Sequence, residues 1–299
     1  MKNRLILVLV AVSTFFAAGE KSIGQSRRNV AINGANLSYI ETGNGEPVVF
    51  VHGGLQDYRM WVIHMPKFAD RYRVIAYSRR NNFPNDVSAD GTPDGAADLH
   101  GEDLATFIRA LGLGKVRIVA HSSGAHAALF FAASHPDMVV SLALNEPPAV
   151  GLIAGASDNA SLLKEWGEKL SRAKEVMKSN NAEVAIPLIV NAIGGPGAYE
   201  RRSEADKKMN LDNLASYQAD AKTKRPRVPF TCEMARSINV PVLLTNGEKS
   251  PEFFHRIADR LQACLPQCTR ASIAGSSHTV PSEQPDAYDD AVIGFFARR

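Results

Sequence analysis

Ala120-His121-Ser122-Ser123-Gly124 carries the residue types of an activated hydroxyl. The β-branched run Val116–Val119 precedes it and Gly124-Ala125-His126-Ala127-Ala128-Leu129 follows, so Ser122 falls on a tight strand-to-helix turn. Such a turn strains the serine backbone and needs small neighbours two residues away on each side, here Ala120 and Gly124. It lifts the hydroxyl above the sheet at a helix N-terminus, where backbone N–H groups can hold a developing oxyanion. The strict pattern has glycine on both flanks, and a serine that merely caps a helix is the alternative reading. Two further segments fit nucleophilic chemistry. Pro47–Val51 is an apolar strand that runs into His52-Gly53-Gly54, and consecutive glycines let amides approach a substrate closely. Arg270–Ala274 is a late strand followed by Gly275-Ser276-Ser277-His278, which sets an imidazole on a loop where a general base for Ser122 would sit.

The elements that must position these residues alternate. Val30–Ile32 and Leu37–Ile40 flank the hairpin signal Asn33-Gly34, and Arg73–Tyr77 is a strand. Over 98–111, Leu99, Leu104, Phe107, Ile108 and Leu111 recur at helical spacing. Val139–Leu144 and Val240–Leu244 are further strand runs, and helices are expected over 251–263 and 285–297. Strands separated by helices predict an α/β fold with a mostly parallel sheet covered on both faces. Residues 147–235 are helical and charged and contain no strand-like run.

With the glycine loop, the serine turn and the late histidine in that chain order, the sequence resembles the α/β-hydrolase superfamily from about residue 29 onward. The resemblance implies a core of 29–146 and 236–299 with 147–235 as a helical cap. It makes Ser122 the nucleophile and His278 the base, and it places the oxyanion amides at Ser123 and Gly54, or Leu55 if the loop is shifted by one. It leaves His52 and His121 structural. His126 is expected to face outward, and His64, His100 and His135 to lie in surface helices or loops; His255 falls in the first turn of its helix. The superfamily's usual acid is an aspartate three residues beyond a glycine, yet Ser250 stands three beyond Gly247. Ser250-Pro251-Glu252 reads instead as an N-cap, a first-position proline and a first-turn acid. Glu146, after the strand that follows the serine turn, matches an acid position used in some members, including certain haloalkane dehalogenases. Glu248 is the alternative acid, and a dyad without an acid is the third option. The implied activity is hydrolysis of a small carboxylic ester or lactone through an acyl-enzyme. The alternatives are a hydrolase-fold binding protein without turnover and a carbon–carbon bond hydrolase. A serine argues against epoxide hydrolase and dehalogenase chemistry, which use an aspartate at that place.

Composition bounds the partners. The chain has 299 residues and is 45% hydrophobic, enough for one large α/β domain. Lys2 and Arg4 precede the apolar run Leu5–Ala18, and Ala17-Ala18-Gly19 has the form of a signal-peptidase site, so residues 1–19 read as an export signal. Export to a bacterial periplasm or beyond, with no stable membrane anchor after cleavage, is the expectation. Removing Lys2 and Arg4 takes the formal charge from +3 to about +1, which does not favour nucleic acid or anionic lipid. The doublets Arg27-Arg28, Arg79-Arg80, Arg201-Arg202 and Lys207-Lys208 read as solvated surface. Of three cysteines, Cys264 and Cys268 could bridge across Leu265-Pro266-Gln267 in an oxidising compartment, the alternative being three packed thiols. No metal-ligand spacing appears, and no cofactor is expected. Trp166, Leu170, Met177, Ile186, Leu188, Ile189, Ile193 and Tyr199 are candidates for an apolar pocket wall, although helical spacing also suits a core.

Overall fold

The computed structural model describes residues 26–87, 96–178, 181–222 and 225–298; the stretch 1–19, expected from its sequence to be an export signal, lies outside the described residues. The apolar runs form an 8-stranded sheet of order β1-β2-β4-β3-β5-β6-β7-β8. Its strands are β1 (Arg28–Ile32), β2 (Ala35–Thr42), β3 (Glu46–Val51), β4 (Tyr72–Tyr77), β5 (Val116–His121), β6 (Val139–Asn145), β7 (Val242–Gly247) and β8 (Cys268–Ile273). β2 runs antiparallel to both β1 and β4, and every pairing from β4 to β8 is parallel. The parallel strands β5 and β7 are buried at every position, as strands covered on both faces must be.

Helices α1 (Met65–Ala69), α2 (Ala97–Ala110), α3 (Ser122–Ser134), α4 (Ala160–Lys178), α5 (Ala182–Gly194), α6 (Glu204–Asp212), α7 (Leu214–Lys222), α8 (Cys232–Arg236), α9 (Glu252–Cys264), α10 (Val280–Glu283) and α11 (Pro285–Phe296) surround the sheet. Successive strand residues supply opposite cores. Val49 and Val51 of β3 pack with Phe107, Phe131, Phe253 and Leu261 from α2, α3 and α9. Val48 and Phe50 face the other way, onto Met65 and Phe68 of α1 and Tyr288, Val292 and Phe295 of α11. Phe50 meets Trp61 and Phe68 at ring distances of 5.0 and 5.1 Å, so truncating it to alanine would cost about 3–5 kcal/mol.

Between β6 and β7 the described chain carries the helices α4–α8 and no strand. α4 and α5 form a third apolar cluster around Ala173, Met177, Ile186 and Ile189, and Leu55 from the loop after β3 is inserted into it. The tip of the glycine loop is thus seated in the helical interval rather than in solvent.

Three expectations need correction. His64 is buried and its Nδ1 lies 2.7 Å from Asp289 Oδ1, joining the segment before α1 to α11. His100 is buried as well. The disulfide joins Cys232 to Cys264, with Cα atoms 5.3 Å apart, and Cys268 is the free thiol. Closeness in sequence misleads here. Cys264 ends α9, buried Leu265 leaves it in extended backbone, and Cys268 opens β8, while α8 packs directly on α9.

The 32-residue loop closed by this bond gives an entropic stabilisation of about 3–4 kcal/mol. Reduction, or the double change C232S/C264S, is expected to lower the melting temperature by several degrees, and C268S to leave it near wild type. Peptide mapping of the oxidised protein should recover a Cys232–Cys264 cross-link; a Cys264–Cys268 cross-link would refute the pairing.

Candidate active site

Strand register brings the chemistry together. His121 of β5 is paired with Asn145 of β6, and Asn145 with Thr245 of β7. Hydrogen bonds reinforce that row: His121 Nδ1 meets Asn145 Oδ1 at 2.7 Å, and Asn145 Nδ2 donates to Thr245 O at 3.0 Å. Ser122 and Glu146 are the next residues of β5 and β6, so both emerge side by side at the carboxyl edge of the sheet. Both have left-handed backbone, with φ of 51° and 45°. Two non-glycine residues in that region cost on the order of 1–3 kcal/mol each and persist only because their surroundings hold them. At the serine turn the small neighbours are compelled by contact: a Cβ on Gly124 would lie 2.3 Å from the His52 carbonyl oxygen. Ala120 is fully enclosed.

His278 reaches both groups. Its Nε2 is 2.9 Å from Ser122 Oγ and its Nδ1 is 2.6 Å from Glu146 Oε2. Glu146 Oε1 accepts the Gly247 N–H at 2.9 Å and Asn246 Nδ2 at 3.3 Å. Gly247 has no room for a side chain, because a Cβ there would sit 2.3 Å from the Ser277 oxygen on the loop that delivers His278. Phe254 stacks on the imidazole at 4.1 Å, and the His121 ring lies 4.9 Å away. Glu248 is turned elsewhere, with its Oε2 accepting the Gly275 N–H at 2.8 Å. Ser250 is not the N-cap expected of it. Pro251 occupies that position, and the buried Ser250 hydroxyl faces the Glu146 carboxyl instead.

Burial governs the charges. It pushes the Glu146 carboxyl up to about 8, against the pull of Ser250, Gly247 and Asn246. It draws the His278 imidazole down to about 3, helped by the field of Arg202. Each member therefore resists carrying charge alone, and the pair holds one proton in common. Once that proton leaves, the carboxylate accepts Nδ1–H and the Nε2 lone pair faces the Ser122 hydroxyl. That arrangement can take the hydroxyl proton during attack on a carbonyl.

The glycine loop lies opposite. Gly53 N–H donates to Gln56 Oε1 at 3.0 Å, while Gly54, Leu55 and Ser123 face the cavity. Leu55 has a φ of 56°, a third strained non-glycine backbone at the site. Arg79 clamps this loop to the serine turn, its guanidinium donating to the oxygens of His52 and Gly53 at 3.1 Å and to Ser123 Oγ at 2.9 Å. Arg79 and Arg80 are buried rather than solvated, and Arg80 is paired with Asp103 at 2.9 Å. The available signal was their place directly after β4, at the edge of the sheet where the site lies. His52 and His121 are both buried, and burial holds their pKa values well below the usual imidazole range.

A cavity of about 480 Å³ opens over Ser122. Trp166, Leu170, Ile189 and Ile193 of the helical interval line it, while Met177 and Ile186 belong to the cluster behind. His126 lines the cavity too, rather than facing outward; Phe130 and Phe230 enclose it, and burial draws its pKa down to about 4.

Known proteins resemble this chain in sequence and fold. A family profile described as alpha/beta hydrolase fold matches residues 46–285. A 2-(acetamidomethylene)succinate hydrolase of Mesorhizobium japonicum is 26% identical over 274 residues, covering 90% of this chain and 94% of its own. A 2-hydroxy-6-oxo-6-(2'-aminophenyl)hexa-2,4-dienoic acid hydrolase of Metapseudomonas resinovorans is 24% identical, covering 91% of each chain. The structure of a thermophilic esterase from Thermogutta terrifontis superposes with a TM-score of 0.70 at 20% identity, covering 91% of this chain and 98% of that one.

The shared proton sets a pH dependence. The rate at which Ser122 reacts with a fluorophosphonate should rise with pH and level off once the Glu146–His278 pair has lost its proton. The midpoint is expected on the alkaline side of the ordinary imidazole value of 6.5, because the carboxyl is raised while the imidazole is lowered. In E146Q only His278 remains to titrate, so a slower rate that is flat across the neutral range is expected. An unshifted limb in E146Q would show that the carboxyl plays no part.

Proposed function

The chain belongs to the α/β-hydrolase family, and from that premise we propose that it is an exported serine hydrolase cleaving a small carboxylic ester or lactone. The observation that carries this reading is the unbroken line Glu146–His278–Ser122, with its hydroxyl end opening into the cavity. Ser122 Oγ attacks the carbonyl carbon while Nε2 of His278 takes its proton. The amides of Ser123 and Gly54, or of Leu55 beside it, hold the oxyanion. The tetrahedral species collapses, the ester C–O bond breaks, and His278 returns the proton to the departing alcohol. Water then repeats the sequence in reverse order on the acyl-enzyme, so that ester and water become acid and alcohol.

Glu146 keeps Nδ1–H of His278 directed inward and stabilises the imidazolium as it forms. The reading as a binding protein without turnover rested on Ser250 standing where an aspartate is usual. Glu146 supplies a carboxylate to the same imidazole, which removes that ground. A serine in place of aspartate speaks against epoxide and haloalkane chemistry. Export is supported by the Lys2–Gly19 pattern and by the Cys232–Cys264 bond, which suits an oxidising compartment.

Incubation with p-nitrophenyl acetate and a small lactone panel, with rapid-quench mass spectrometry, should reveal an acyl adduct on Ser122. A folded protein that neither reacts with a fluorophosphonate nor turns over any ester would refute the reading. E146Q should slow ester turnover by about four orders of magnitude, the scale of the orienting carboxylate in related triads. E248Q should stay close to wild type; equal losses in the two variants would move the acid elsewhere.

A further inference from the structure

One half-buried cation beside the reacting groups has no role in that chemistry. Arg202 lies in the loop between α5 and α6, and its side chain lines the cavity together with Ser122, His121 and His278. It is held by a neutral amide. Nη1 donates to Asn210 Oδ1 at 2.9 Å, and Asn210 Nδ2 donates in turn to the Leu55 carbonyl at 2.9 Å. The guanidinium is thereby tied to the loop that flanks the serine. Its Nε is buried with no hydrogen-bond partner.

No acid neutralises it among the described residues. Asp206 and Glu283 share a second, smaller cavity with Arg202 and act on it through space, without a hydrogen bond to it. Asp206 is engaged by Ser203 Oγ at 2.8 Å, and Glu283 by Ser277 Oγ at 2.7 Å. Among the described residues, the walls of the main cavity carry Lys174, Arg202 and Arg227 and no aspartate or glutamate. A cation withdrawn from water without a counter-charge is costly, and burial lowers the pKa of Arg202. A ligand anion would offset that cost, and a guanidinium fork with a free N–H edge suits a carboxylate.

We propose that Arg202 is the subsite for a substrate carboxylate, so that the preferred substrates are short esters or lactones bearing a free carboxylate away from the scissile bond. This rests on the hydrolase reading above and narrows its substrate class. The carboxylate is bound and not altered. Seated on Arg202, it also cancels a positive field that otherwise opposes protonation of His278, at the step in which His278 must accept the serine proton.

The test compares p-nitrophenyl hydrogen glutarate with its neutral methyl ester, p-nitrophenyl methyl glutarate. The free acid should have a kcat/KM about 10- to 100-fold higher, the scale of a hydrogen bond to a charged group, with most of the difference in KM. R202Q should bring the ratio of the two values close to one, and R202K should recover part of it, with thermal melts verifying that each variant is folded. A wild-type ratio near one, or equal losses on both esters in R202Q, would overturn the proposal while leaving the hydrolase reading intact. Should neither ester be turned over and Ser122 resist the fluorophosphonate, the hydrolase reading fails. Calorimetric titration with glutarate then decides the subsite: binding that R202Q abolishes supports it, and no binding to the wild type overturns it.

Discussion

The contact between Glu146 Oε2 and His278 Nδ1, 2.6 Å long and closed to solvent, is the constraint around which this site is arranged. For it to form, β6 must end in left-handed backbone at Glu146, and the loop after β8 must cross β7 where only a glycine, Gly247, leaves space. Phe254 must cover one face of the imidazole, which places the start of α9 against the loop. Each requirement is met by a different segment. The strain at Ser122, Glu146 and Leu55 is therefore carried by packing elsewhere in the sheet and not relieved locally.

The same burial that fixes the geometry sets the chemistry. A carboxyl shut away from water resists ionising, and an imidazole beside it resists protonation, so the two share a proton that each would otherwise hold differently in water. Three backbone or side-chain groups on Glu146 offset part of that cost. The reactive form is reached by losing one proton from the pair, a loss that the positive field of Arg202 favours.

The helical interval is coupled to the reacting groups through the glycine loop. Leu55 is held on its apolar side by α4 and α5 and on its carbonyl by Asn210. Arg79 grips the same loop from the sheet side. Asn213 adds a bond to the buried carboxylate of Asp57 at 2.7 Å. The cavity roof and the amides that would face an oxyanion are consequently positioned by one connected set of contacts. A change in α5 or α6 would be felt at Ser122 without touching it.

What the sequence alone determined were features whose physics is local. Strand runs and helical spacing arise from side-chain periodicity over a few residues, and the serine turn from sterics within Ala120–Gly124. His278 was found because it follows a late strand by a short loop. The tertiary structure decided what depends on residues far apart meeting. Ser122 and Glu146 approach His278 across separations of 156 and 132 residues, and strand register chose Glu146 over Glu248. Cys232 reached Cys264 because α8 lies on α9, not because the thiols are close in sequence. Arg79, Arg80 and the half-buried Arg202 looked solvated because a charge pattern records no burial, whereas Arg201 is exposed as expected. Arg79 and Arg202 became part of the site only when the sheet edge and the helical interval closed over them. Local sterics are written in neighbouring residues; electrostatic partners and burial belong to the assembled fold.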